Sequence, residues 1–155
     1  MTLATWGIVL ALAGGLAADD YTETTVSFSL WAVQASSEGR EEKRFDAELA
    51  PVRGFLSDLP FDTYRALETT RLHIPYGNES HTYLTGKYKL IVRPISKQDD
   101  GRIRVNVCVE IPPKDPKKTP VKAINTRLLL ARDQKVKLGG LQLEEGELVI
   151  VLARV

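Results

Sequence analysis

Two histidines with a carboxylate between them are the side chains whose types and spacing come closest to a metal site. His73 and His81 flank a Pro-Tyr-Gly-Asn turn sequence, and Glu79 lies between them. If the flanking segments pair as a hairpin, the two imidazoles face each other with the carboxylate nearby, a nitrogen and oxygen donor set that suits zinc. Ordinary surface histidines at strand ends give the same pattern. The sequence therefore leaves both interpretations open for His73, Glu79 and His81.

The sequence shows none of the common motifs of nucleophilic or nucleotide-dependent catalysis. It has no G-x-S-x-G elbow, no phosphate-binding loop and no dinucleotide-binding glycine pattern. Cys108 is the only cysteine, which excludes an intramolecular disulfide, and it fits a buried apolar residue, an intermolecular bridge or a reactive thiol. We therefore predict a protein without catalytic residues and without a cofactor.

Residues that fit contact with a protein partner lie in a loop, in a turn and on one polar strand face. The segment from Ile111 to Pro120 is rich in proline and lysine and predicts the largest irregular loop. Its lysines form a basic tip that lacks the interleaved aromatic side chains of nucleic-acid binders. The predicted partner contacts are Lys114, Lys117, Lys118, Tyr76 and Arg104.

The overall charge balance argues against binding to nucleic acid. The chain of 155 residues carries 21 Lys and Arg against 20 Asp and Glu, a formal net charge of +1 at pH 7. A dedicated nucleic-acid binder usually has a basic excess, and strong adhesion to anionic lipid needs clustered basic residues. We therefore expect one or more protein partners rather than nucleic acid or a membrane surface.

The first 18 residues resemble a secretory signal peptide. The uncharged apolar run of residues 6–16 is too short to cross about 30 Å of hydrocarbon, and residues 15–17 fit a small-x-small cleavage signal. No later apolar run reaches membrane-spanning length. We therefore predict a signal peptide at residues 1–18, a single domain at residues 19–155 without a membrane span, and a periplasmic or extracellular location.

Alternating and continuous apolar patterns predict most of the chain as strands. Residues 25–35 and 148–155 are apolar on both faces, as the inner strands of a sheet are. Residues 88–94 and 103–111 alternate, and the turn sequence between them predicts an antiparallel hairpin. In the second of these strands Cys108 faces the polar side, away from the aliphatic residues.

One amphipathic helix is predicted from Glu48 to Leu59. Apolar residues recur there at helical spacing, Asp46 is a candidate N-cap, and Pro51 is tolerated in a first turn. Pro60 ends the helix, and the charged segment Ser36–Arg44 before it predicts a loop. With about six to seven strands, this predicts an α+β fold, a mainly antiparallel β-sheet or sandwich with one covering amphipathic helix.

Two segments resemble bacterial proteins. Residues Asn125–Leu141 resemble part of the secretins, the outer-membrane rings of secretion and pilus systems, in which an Asp-Gly-type turn and a Gly-Gly-Leu corner follow a strand. Here Gln134 stands where the glycine follows Asp133. Residues Leu56–Tyr64 resemble the L-x-x-L-P-F-x-x-Y helix exit of small exported bacterial domains without an assigned activity. The resemblance to these small exported domains implies an envelope location and suggests no catalytic residues.

These observations predict a non-enzymatic exported domain that works by protein–protein contact within a bacterial envelope or secretion-related assembly. Its strands would offer edges at which a partner can add a strand. The alternative function is a small-ligand or metal-binding periplasmic β module that uses His73, Glu79 and His81.

Overall fold

A computed structural model of the chain describes residues 24–85 and 87–155. The predicted signal peptide at residues 1–18 lies outside the described residues, as does the start of the predicted domain at residues 19–23. No helix within the described ranges is both long and apolar enough to cross a membrane.

Nine strands form two sheets in the part of the chain that the structure describes. They are β1 Thr25–Ser36, β2 Arg44–Phe45, β3 Thr63–Pro75, β4 Ser80–Leu84, β5 Tyr88–Lys97, β6 Ile103–Ile111, β7 Val121–Leu130, β8 Lys135–Gln142 and β9 Glu147–Arg154. The larger sheet has the order β2-β3-β1-β9-β8, and the smaller sheet has the order β4-β5-β6-β7. All pairings are antiparallel except the short parallel pairing of β2 with β3. The predicted mainly antiparallel sheet or sandwich is confirmed in its broad outline, as two mostly antiparallel sheets, whereas the predicted number of about six to seven strands is too low.

The main hydrophobic core lies between the two sheets. Alternate residues of β1, including Phe28 and Leu30, face Leu90 of β5 and Val107 of β6, and all four side chains are fully buried. This alternation is what two facing sheets require, because every second side chain of a strand points to the same face. The core between the sheets therefore fixes which side chains of the smaller sheet point outward.

A second hydrophobic core covers the opposite face of the larger sheet. Val33 of β1 and Val151 of β9 are fully buried there against Leu49, Val52 and Leu56 of the segment between β2 and β3. Strands β1 and β9 are thus buried on both faces and lie inside the sheet, which confirms the interpretation of their apolar sequences. The helical segment therefore covers part of the outer face of the larger sheet, whereas no described element covers the outer face of the smaller sheet.

The predicted helix from Glu48 to Leu59 is wrong in length and type. Residues Ala47–Val52 form a 3-10 helix, and only Arg53–Leu56 form an α-helix, α1. Pro51 has no N–H to donate to the carbonyl four residues earlier, so the α-helical hydrogen bonding begins only after it. The predicted apolar docking face is nevertheless confirmed, since its buried members pack on the larger sheet.

Asp46 does not act as the predicted N-cap. Its side chain makes no cap hydrogen bond. Its carboxylate instead accepts the backbone N–H of Ala66 on β3 at 2.9 Å. The predicted loop before it also ends in a strand, β2, whose Phe45 ring stacks on the Tyr64 ring with centroids 4.5 Å apart. Long-range pairing with β3 therefore overrides the local signals of this segment.

The loop between β1 and β2 is held by one carboxylate. Asp62 accepts the backbone N–H groups of Glu38, Gly39 and Arg40 at 2.9–3.1 Å and the Thr63 hydroxyl at 2.7 Å. The hydrogen bond from the Glu38 amide, followed by that from Thr63, lowers the pKa of Asp62 from 3.8 to about 2. The ionised carboxylate is thus the form that orders the loop.

We expect acid to release this loop. Because the folded-state pKa of Asp62 is lowered, its contribution to stability is fully present above pH 3.8 and is lost as the pH falls through about 2. NMR titration of the Asp62 carboxyl carbon should give a midpoint near 2, and exchange of the amides of residues 38–40 should accelerate over the same pH range. In Asp62→Asn, those amides should exchange fast at neutral pH and show no acid-dependent step. A carboxyl midpoint close to 3.8 would contradict this account.

Candidate functional site

The structure does not bring the two histidines together. β3 and β4 belong to different sheets, so the hairpin on which the metal-site hypothesis depends is not formed. His73 pairs with Ser27 on the outer face of the larger sheet, and His81 pairs with Ile91 on the outer face of the smaller sheet. Among residues 24–85 and 87–155, no three His, Cys, Asp or Glu side chains are grouped so that they could hold a metal ion.

Each histidine has its own polar partner. His73 Nδ1 lies 2.8 Å from the Ser27 hydroxyl oxygen. His81 Nε2 lies 2.9 Å from Glu79 Oε2, and Arg93 approaches the other oxygen of that carboxylate at 3.8 Å. The hydrogen bond with His81 is the main cause of the lowered pKa of Glu79, and the charge of Arg93 adds to it. Glu79, His81 and Arg93 therefore form a small polar cluster at the start of β4.

The outer face of the smaller sheet carries a concentration of positive charge. Its members are cations at outward-facing positions of β5, β6 and β7, and we call them the basic face. The basic face consists of Lys89, Arg93, Arg104, Lys122 and Arg127. Carboxylates in this region are Glu110 on β6 and Glu79 before β4. Five cations thus stand against two carboxylates on a face that no described element covers.

Cross-strand pairing arranges these side chains in rows. Glu110 lies between Lys89 and Lys122 in the first row, where opposite charges on neighbouring strands attract each other. In another row Asn106 lies between Arg93 and Arg127, and its Oδ1 accepts a hydrogen bond of 3.1 Å from Arg127 Nε. Arg93 lies 3.8 Å from Glu79, whereas Arg127 has an amide and not a carboxylate opposite it on β6, so the charge of Arg127 is the one in this row that a partner can pair with.

Cys108 lies in the middle of this face, as its alternation with the aliphatic residues of β6 predicts. It pairs with Ile91 on one side and Asn125 on the other, and it lines a shallow cavity of about 180 Å³. Burial, reinforced by the negative charge of Glu110, raises the pKa of the Cys108 thiol. The neutral thiol is therefore favoured, which is the opposite of what an activated nucleophile needs.

The predicted lysine tip continues the basic face. Lys114, Lys117 and Lys118 are exposed in the loop between β6 and β7, beyond the end of the sheet where Glu110 and Lys122 pair. Asp115 shapes the loop, because its carboxylate accepts the Lys117 N–H and its carbonyl accepts the Lys118 N–H, both at 3.0 Å. We call these three lysines the lysine tip.

The other two predicted contacts lie apart from the lysine tip. Arg104 is exposed at the opposite end of β6 and belongs to the basic face. Tyr76 is half-buried, and its side chain packs against the core between the sheets, near the start of β4. The structure thus joins four of the five predicted contacts through the outer face of the smaller sheet and separates Tyr76 from them.

Sequence reasoning missed four members of the basic face. Lys89 and Arg93 stand two residues from Ile91 on either side in a predicted strand, so the alternation already placed them on one face, and Lys122 and Arg127 both lie in β7. What the sequence lacked was the order β5-β6-β7, which places these strands side by side. Strand order depends on contacts between distant residues, and no local pattern encodes it.

Comparison of the chain with models of known protein families, with curated proteins and with solved structures gave no match. We therefore infer the function from the geometry of the chain itself.

Proposed function

We propose that this chain is an exported, non-enzymatic protein-interaction domain that binds an acidic region of a partner protein through the basic face and the lysine tip. One observation carries the proposal. Apolar helical residues cover part of the outer face of the larger sheet, whereas that of the smaller sheet is uncovered in the described residues and rich in cations. Complementary charge on a partner speeds encounter and selects against partners of like charge.

A protein fits this face better than a nucleic acid does. Tyr83 is exposed on β4, and Lys89 Nζ lies 5.8 Å from the centre of its ring. It is the one Phe, Tyr or Trp at the outward positions of the described residues of β4 to β7. Single strands of nucleic acid are bound by several stacked aromatic side chains, and duplexes need a larger basic excess than this face offers.

The location in the cell is proposed from the sequence. The resemblance of the first 18 residues to a signal peptide supports export to the periplasm or the exterior. The secretin-like segment Asn125–Leu141 supports a role in a bacterial envelope or secretion-related assembly. We therefore expect the acidic partner in the envelope.

Charge reversal of the lysine tip tests the proposal. Wild type, a variant with Lys114, Lys117 and Lys118 changed to glutamate, and a control with the same three lysines changed to arginine serve as baits on an envelope fraction. We expect wild type and the arginine control to recover the same protein, and the glutamate variant to recover about tenfold less at low salt. Melting should stay the same, because all three positions are exposed.

Three results would contradict the proposal. The first is equal recovery of the partner by the glutamate variant and the arginine control. The second is recovery that does not weaken as salt is added, since contacts between exposed charges are screened. The third is recovery of nucleic acid in place of protein.

A further inference from the structure

The two sheets have four edges, and three of them are poorly suited to pairing with another strand. β2 has two residues and β4 has five. β8 is interrupted by a register shift at Gly139 and Gly140, and Gly140 has a φ of +85°. Short edges and bulges are the usual ways in which proteins prevent unwanted strand addition. β7 is different, because it runs for ten residues without an internal proline or glycine.

β7 is also regular over most of its length. After one register shift near its start, Ile124–Leu130 pair continuously with β6. β7 ends the order of the smaller sheet, and along residues 121–129 its backbone bonds no other strand in the described ranges. Seven residues of extended chain span about 23 Å, enough for a row of backbone hydrogen bonds to an added strand.

Partly exposed apolar side chains lie on β7 at this edge. Ile124 and Leu128 of β7 pack against the core between the sheets but stay partly exposed, as do Val136 and Leu138 of β8. Most other residues of this core are buried, although Leu67, Leu72, Tyr76, Ile111 and Leu143 are also only partly buried. A strand added to β7 would lie beside it, and every second side chain of that strand would contact Ile124 and Leu128 on the inward side. This contact would remove apolar surface from water.

The charge of β7 restricts the sequence of such a strand. Lys122 and Arg127 point to the outer face, with Asn125 between them, so outward side chains of a neighbouring strand gain from negative charge. A second copy of this chain pairing through its own β7 would instead add two more cations to the same face. The edge therefore fits a strand of another protein better than a second copy.

We propose that β7 binds, by strand addition, an extended segment of the partner in which apolar and acidic residues alternate. This proposal rests on the proposed function, because the acidic partner of the basic face supplies the segment. Main-chain hydrogen bonds give the affinity, and the pattern of the segment gives the specificity.

A synthetic peptide tests the edge directly. The probe is a labelled peptide Glu-Val-Glu-Val-Glu-Val-Glu, and the controls are the same peptide with lysine for each glutamate and one with proline for the central valine. We expect the glutamate peptide to bind and the two control peptides not to bind. The bound peptide should slow hydrogen exchange of the amides of residues 124–130 by about tenfold or more. Leu128→Lys, which places a charge on the inward side of the edge, should weaken binding about tenfold. Arg127→Glu, at an exposed position, provides a second variant that does not disturb the core.

The results separate this proposal from the proposed function. One outcome is that Leu128→Lys and Arg127→Glu change neither peptide binding nor partner recovery, while the lysine-tip variant loses the partner. In that case strand addition to β7 is wrong and the proposed function stands. Equal binding of the proline peptide, or unchanged exchange of the β7 amides, also overturns strand addition. Self-association that Leu128→Lys abolishes would identify a second copy as the occupant and overturn the proposed partner. If no variant affects partner recovery, both proposals fail.

Discussion

Replacing Gly146 with alanine is expected to lower the free energy of unfolding by about 3 kcal/mol. Gly146 lies in the turn between β8 and β9 with a φ of +77°, a conformation that costs residues with a side chain energy. An added Cβ would also overlap the Ala35 carbonyl oxygen and lie 3.0 Å from Ser36 Cβ. Both atoms belong to the end of β1, which cannot move without disturbing its pairing with β3 and β9.

Gly101→Ala is the matched control for this prediction. Gly101 lies in the turn between β5 and β6 with a φ of +90°, but an added Cβ would meet no atom within 4 Å. It should therefore cost only the backbone strain, about 1–2 kcal/mol. The difference between the unfolding free energies of the two variants, measured in denaturant, gives the cost of the Cβ overlap at Gly146 apart from the cost of backbone strain. Equal losses would mean that the β8–β9 turn moves away from β1, and the account of Gly146 would be wrong.

Local sequence patterns predicted the strands well where the pattern within a single strand is enough to show which of its side chains are buried. In β6 the alternation placed Val105 and Val107 inward and Cys108 outward, as the structure has them. The continuous apolar run in β9 predicted an inner strand for the same reason, because a strand buried on both faces needs apolar side chains on both. The alternation period is a property of the strand backbone, so it survives in any tertiary context.

Local patterns failed where the partner of a segment lies far away in the chain. The turn between His73 and His81 has the composition of a hairpin turn, yet it carries the chain from one sheet to the other. The helix prediction failed because the effect of Pro51 depends on where the first turn begins. β2 is two residues long, and only its pairing with Thr63 and Tyr64 defines it as a strand.

The candidate site also combines features that local sequence predicts with features that depend on distant contacts. The sequence predicted the lysine tip and Arg104, which are recognisable from composition and alternation alone. The basic face requires β5, β6 and β7 to be neighbours, and the open edge of β7 requires that nothing pairs beyond it in the described residues. Both are properties of the assembled sandwich.

The second large effect is expected in the core between the sheets. Phe28→Ala should lower the free energy of unfolding by about 3–5 kcal/mol, because Phe28 is fully buried between the sheets and its removal leaves a cavity. Ser29→Ala is the matched control, since the adjacent side chain faces the other side of β1 and is only half-buried. It should change the unfolding free energy by about 0.5 kcal/mol or less. Comparable losses for the two variants would contradict the assignment of faces in β1.

We expect the two hydrophobic cores to unfold in a single transition. β1 supplies Phe28 to the core between the sheets and Val33 to the core under the helical segment, so neither core can lose β1 without exposing the other. Leu56→Ala, in the second core, should therefore destabilise the same single transition that Phe28→Ala destabilises, by about 2–5 kcal/mol. Far-ultraviolet circular dichroism and amide exchange in β1 and β6 should give coincident midpoints in denaturant. Separate midpoints would mean that the smaller sheet, with the basic face and β7, folds independently of the helical cover.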